Sequence, residues 1–129
     1  MNSQTLVDAF IESMQAYPGS RWVIALSGGL DSMVMLHLAA SHLPSSKLHV
    51  LHINHHLQES ADAWSEFCRK QAAFLSLPFT QINVFPANSS EVAARDARYA
   101  AFGDFLKVGD VLLLAHHADD QAETVLFRL

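Results

Sequence analysis

Residues 21–43 read RWVIALSGGLDSMVMLHLAASHL, and this stretch decides the fold. Arg21 to Leu26 is a short apolar run of β type. Ser27-Gly28-Gly29 interrupts it, and Ser32 to Leu43 then reads as a helix that Pro44 closes. A strand handed to a helix through a glycine turn is the first half of a βαβ unit. The pattern repeats outward. Lys47 to Ile53 (KLHVLHI) is a second strand, Ala61 to Leu77 a long helix, and Phe79 to Phe85 (FTQINVF) a third strand. Glu91 to Val108 is an Ala-rich helix, and Val111 to Ala115 (VLLLA) a fourth strand behind Gly109-Asp110. Upstream, Thr5 to Tyr17 has the three- and four-residue spacing of an amphipathic helix, ended by Pro18-Gly19; downstream, Asp120 to Leu129 opens a further helix. The expectation is an α/β fold, a Rossmann-like parallel sheet with right-handed crossovers and helices on both faces. WVIAL and VLLLA suit strands covered on both sides.

The chain has 129 residues, half of them hydrophobic, which suits one domain with a real core. Eight Lys and Arg against thirteen Asp and Glu leave a net charge of −5. A protein that holds nucleic acid on a continuous basic surface usually has the opposite balance. Either this stretch does not bind nucleic acid or the basic surface lies elsewhere in the protein. The lone Cys68 excludes an internal disulfide framework and a Cys-rich zinc module. No secretory signal opens the sequence, and its apolar runs fall far below the roughly 20 residues that span a bilayer. A reduced, soluble, cytoplasmic protein with no membrane partner is expected. The last residues, TVLFRL, read as helix with no stop signal, so the chain reads as the N-terminal portion of a longer protein.

Ligands of open parallel sheets bind outside the carboxyl ends of the strands. Two motifs lie there. The first is Ser27-Gly28-Gly29-Leu30-Asp31-Ser32, between strand and helix. Its glycines allow a tight turn with converging N–H groups, the helix N-terminus adds positive potential, and the serines add hydroxyl donors. These are the parts of a phosphate cradle. Neither G-x-G-x-x-G nor G-x-x-x-x-G-K-[ST] is present, and no Lys in the loop reaches for a γ-phosphate. Asp31 stands there instead, and a carboxylate beside phosphates calls for a cation between them, hence magnesium. The plainer alternative is a glycine turn with Asp31 or Ser32 as helix cap.

The second motif is AHHADDQAET, residues 115–124. In a helix Asp120 and Glu123 share a face near the carboxyl edge. From Asp110 to Glu123 there are four acids and no Lys or Arg, so paired carboxylates there suit an ammonium group or magnesium. The same pair also reads as an N-cap with a third-position acid, and the two roles are compatible. Six histidines, His49, His52, His55, His56, His116 and His117, fall on or just after the second and fourth strands. Without thiolates or H-x-x-x-H they read as hydrogen-bonding or core residues rather than a zinc site. His49 and His52 are three apart on a strand and face opposite ways. His37 and His42 read as helix-face residues. In the Ala-rich helix Arg95 and Arg98 share a face. Surface salt bridging is the ordinary fate of such residues; the sharper alternative is a guanidinium aimed at a transferring phosphate.

With these residues in hand the chain resembles the N-type ATP pyrophosphatases, the PP-loop family with an S-G-G-x-D-S loop and an adenine nucleotide alpha-hydrolase-like fold. Within it the resemblance is to the tRNA(Ile)-lysidine synthetases. It covers SGGLDSM, HINHHLQESADAW, EVAARDARYAAF and AHHADDQAETVLFRL in that order. SGG-x-DS alone is shared with GMP, NAD and asparagine synthetases and tRNA thiolases; the four segments together are more specific.

The resemblance implies a ligase with ATP and Mg2+, tRNA(Ile) and free lysine as its partners. The wobble cytidine attacks the α-phosphorus of ATP and releases pyrophosphate. Lysine then displaces AMP at the 2-position carbon, giving lysidine. It implies that Ser27, Gly28, Gly29, Leu30, Asp31 and Ser32 hold ATP, that Asp31 serves magnesium and adenylation, and that Arg98 is the catalytic Arg. It implies Asp120 and Glu123 as the lysine carboxylates. Residues 1–129 would be the N-terminal ATP-pyrophosphatase catalytic domain, cut within its C-terminal element, with the C-terminal tRNA-binding domains absent. Asn54 departs from the more usual H-x-D-H, and Gln58 stands where Arg is common. Three alternatives remain. A tRNA thiolase would need working thiols, and an amidotransferase-type synthetase a glutaminase; an ATP sensor would show no turnover.

Overall fold

The computed structural model describes residues 3–118 and 121–128. Four strands are parallel, β1 (Trp22–Ala25), β2 (Leu48–Asn54), β3 (Phe79–Asn83) and β4 (Val111–Ala118). A fifth, β5 (Gln121–Arg128), runs antiparallel to β4, and the order is β3-β2-β1-β4-β5. The helices are α1 (Ser3–Ala16), α2 (Leu30–His42), α3 (Ala61–Phe74) and α4 (Glu91–Phe105), with a 3-10 turn at Ser45–Lys47.

Alternation along the strands builds the core. Trp22, Ile24 and Leu26 of β1 and its end, Leu48 and Val50 of β2, and Val111 and Leu113 of β4 pack with Phe10 of α1, Met35, Leu36 and Ala39 of α2, and Cys68 and Ala72 of α3. The intervening Val23, Ala25, Leu51, Leu112 and Leu114 pack against Phe102 of α4. Every residue of β1 is buried, as the run WVIAL predicts for a central strand covered on both faces. Full burial of each such aliphatic side chain is worth about 1.5–3 kcal/mol, so the root of the loop after β1 is firmly anchored.

The chain steps outward from β1 to β2 to β3, with α2 and α3 on one face, and then returns through α4 on the other to lay β4 against β1. That return makes a topological switch point beside β1, where ligands of such sheets bind. At the opposite, amino edge, Arg21 and the buried Asp110 clamp β1 to β4 through Nε–Oδ1 and Nη2–Oδ2 contacts of 3.1 and 2.5 Å.

One element departs from the sequence reading. Residues from Asp120 onward are expected to form a helix, and Gln121–Arg128 is instead a strand, with Ala118 opposite Gln121 and Val111 opposite Arg128. Thr124, Val125 and Phe127 favour a pleated conformation, and pairing satisfies the open edge of β4. A helix of fewer than about 12 residues has little stability of its own to set against that.

Candidate active site

The loop after β1 has the shape its residues predict. Gly28 has φ of +93°, and a Cβ there would lie 2.8 Å from Cε3 of Trp64, so neither the backbone nor the space admits another residue. The hydroxyls behave differently from expectation. Ser27 N–H and Ser27 Oγ–H donate to Ser32 Oγ at 3.2 and 3.0 Å. Ser32 Oγ–H donates to Gly29 O at 3.0 Å, and Gly29 N–H to Ser27 Oγ at 3.3 Å. The serine protons hold the loop closed instead of being offered to an anion. Gly29 is the N-cap of α2 with no side-chain cap bond, so neither Asp31 nor Ser32 caps the helix and its first-turn N–H groups face the carboxyl edge. Leu30, Asp31 and Ser32 lie in that first turn; Ser32 is buried and Leu30 exposed.

Beside the loop opens a cavity of ≈ 250 Å³. Ala25 to Gly29 form one wall and Leu51 to His55 another, with Gln58, Trp64 of α3 and Arg98 and Phe102 of α4 completing it. Arg98 is half-buried, and among the described residues its buried Nε has no hydrogen-bond partner. Its guanidinium lies 6.0 Å from the Tyr99 ring centre. Arg95 is exposed. Among the described residues neither arginine forms an ion pair. Asp120 lies outside the described residues. Glu123 lies on β5 in register with His116, so the shared helical face expected for Asp120 and Glu123 is not present.

The described histidine side chains divide by position, and those of His116 and His117 are not among them. His52, buried, faces α3: its Nδ1–H donates to Leu26 O at 2.7 Å, and its Nε2 lies 2.9 Å from Ser65 Oγ. Burial holds it below the ordinary histidine range. His49 faces the other way, 2.7 Å from Thr80 Oγ1 and against Phe105. His37 and His42 are exposed on α2. His55 lines the cavity; burial first, then Arg98 and His56, pushes its pKa down. Among the described residues no group of three or more His, Cys, Asp or Glu is placed to hold a metal ion.

Of three further contributors, Trp64 is not singled out by the sequence, Asn54 is marked there only as a departure from H-x-D-H, and His55 reads there only as a hydrogen-bonding or core histidine. Trp64 packs on Gly28, one turn into α3, and no local pattern marks it. Asn54 is buried and shapes the turn after β2, accepting from His56 N–H and donating to Asp62 Oδ1, both at 2.9 Å. His55 follows β2 at the carboxyl edge, and that position is the signal that ties it to the site. Cys68 is fully buried, and burial raises its thiol to about 11.

Residues 2–129 match the PP-loop domain family. Among curated relatives, tRNA(Ile)-lysidine synthase of Pseudomonas syringae pv. tomato is 51% identical over 117 residues, covering 85% of this chain and 26% of that one. Its namesake in Alkalilimnicola ehrlichii is 51% identical over 121 residues, covering 87% and 26%. That of Shewanella woodyi is 41% identical over 135 residues, covering 99% and 29%. The chain thus spans about a quarter of the length of the relatives it matches. Among solved structures, an NH3-dependent NAD synthetase from Campylobacter jejuni aligns with a TM-score of 0.59 at 21% identity, over 87% of this chain and 56% of that one, a likeness of fold. With the glycine loop at the switch point of a parallel sheet and the family match running across nearly all of it, the chain belongs to the PP-loop family.

Proposed function

We propose that this chain is the ATP-cleaving catalytic domain of a ligase that joins lysine to the 2-position carbon of the wobble cytidine of isoleucine tRNA, with the tRNA-holding domains outside this stretch. The observation that carries the reading is the convergence of Arg98, from α4, on the same cavity as Ser27–Gly29. A loop of backbone donors facing a half-buried guanidinium suits phosphate that gains charge during transfer. The names of relatives at 51% identity support the particular substrates.

In this reading the loop and the α2 N-terminus grip the pyrophosphate end of ATP while the wobble cytidine attacks the α-phosphorus. Arg98 stabilises the charge that develops there. Pyrophosphate leaves, and the lysine amine then displaces AMP from the adenylated base. A single carboxylate at the loop, Asp31, fits magnesium that is shared with substrate phosphates; the ion would neutralise phosphate charge. Asp120 and Glu123 are proposed to receive the lysine ammonium. Cys68, buried and protonated at neutral pH, favours this ligase over a tRNA thiolase.

The test is transfer of radiolabelled lysine to isoleucine tRNA by the full-length protein with ATP and magnesium. No label on RNA would sink the reading. Asp31→Ala is expected to abolish pyrophosphate release. Glu123→Ala is expected to raise the lysine requirement while base adenylation stays measurable; a loss of thermal stability alone would leave it a structural residue.

A further inference from the structure

We infer that His55 is a neutral hydrogen-bond donor to the phosphates of the bound nucleotide, acting with Arg98 on the wall that faces the glycine loop. This rests on the ATP reading above. Leu57 N–H donates to His55 Nδ1 at 3.2 Å, so Nδ1 is an acceptor and the proton of the neutral ring is on Nε2. The turn that follows β2 therefore selects the tautomer. Among the described residues Nε2 has no hydrogen-bond partner, and the half-buried ring lines the cavity. That N–H is open to an acceptor in the cavity, and the glycine loop that lines the same cavity leads into the α2 N-terminus, which favours one of negative charge.

Arg98 supplies the second half of the argument. It lines the same cavity, and its nearness is one reason His55 stays uncharged. The wall thus offers one charged fork and one neutral donor of fixed orientation. A second full cation there would have to be desolvated beside the first; a neutral imidazole donates without that cost.

Two isosteric halves of histidine separate the roles. Asn can reproduce the Nδ1 acceptor for Leu57 N–H but does not reach Nε2. Gln can place an N–H near Nε2 but loses the acceptor. Magnesium-ATP and adenosine are titrated calorimetrically into full-length wild type, His55→Asn and His55→Gln, with thermal melts alongside. Hydrogen bonds to charged groups lead us to expect ATP binding about tenfold weaker or more in His55→Asn and within about threefold of wild type in His55→Gln. Adenosine binding and melting temperature should be unchanged in both. Wild-type ATP affinity in His55→Asn, or a loss in His55→Gln as large as that in His55→Asn, overturns the inference. So does equal weakening of adenosine, which would move the contact to the nucleoside, or a large fall in melting temperature in both variants. A wild type that binds no ATP overturns the underlying reading itself. Wild-type ATP binding without lysine transfer overturns only the assignment of substrates.

Discussion

At the scale of single residues, Gly28 concentrates the constraints on the site. Its positive φ and the 2.8 Å approach of Trp64 to any Cβ are separate penalties, one of backbone and one of packing. Gly28→Ala is expected to cost about 1–3 kcal/mol, lowering the melting temperature by several degrees and weakening ATP binding at least tenfold. The two penalties can be parted. In a Trp64→Leu background the alanine should cost less, and what persists is the price of φ. An equal cost in both backgrounds would show that the indole gives way freely. The need for glycine is legible in sequence, because two glycines between a strand and a helix have few other uses. Trp64 is not. Its role arises only when α3 returns across the sheet and sets an indole on a loop from which it is distant in sequence. His55 is intermediate: its place at a strand's carboxyl end is readable, but its tautomer depends on the turn at Leu57.

Among the elements, β1 is held at both ends by different means. The carboxyl end is tied by His52 to Leu26 O, and the amino end by Arg21 to Asp110. Burial alone would raise the Asp110 pKa, but the Arg21 bonds and Lys107 N–H outweigh it and hold the carboxyl below its ordinary value. The sign follows from linkage. Stability from this group is present above the unfolded carboxylate pKa, near 4, and is lost as pH falls through the lower folded value. Asp110→Asn should therefore cost about 2–3 kcal/mol at pH 7 in urea denaturation, with the gap to wild type closing below pH 4. A gap independent of pH would mean that packing, not charge, holds the amino edge. The parallel strands were legible because apolar runs and glycine turns alternate at βαβ spacing. β5 was not, because TVLFRL has apolar residues suited to either period and the open edge of β4 decides between them.

Across the whole molecule, charge is distributed against the site's proposed RNA partner. Lys47 lies just before β2, Lys107 just before β4, and Arg21 just before β1, all at the amino edge of the sheet. Arg69 and Lys70 are in the far half of α3, and Arg69 is paired with Glu66. Only Arg95 and Arg98 occupy the first half of α4, nearer the carboxyl edge where the cavity opens. A net charge of −5 would repel a polyanion at long range, and two cations can neutralise few phosphates. Each neutralised phosphate adds roughly −0.7 to −0.9 to the slope of log K against log salt. In a filter-binding salt titration, the 129-residue chain is therefore expected to hold isoleucine tRNA with a slope no steeper than about −2 and an affinity near 10⁻⁴ M, the weak end of non-specific binding. Full-length protein should bind far more tightly and with a steeper slope, because in the proposed arrangement the phosphate contacts lie in its other domains. Tight, steeply salt-dependent binding by the short chain would contradict that arrangement. It would also require a basic surface that the charges around this cavity do not provide.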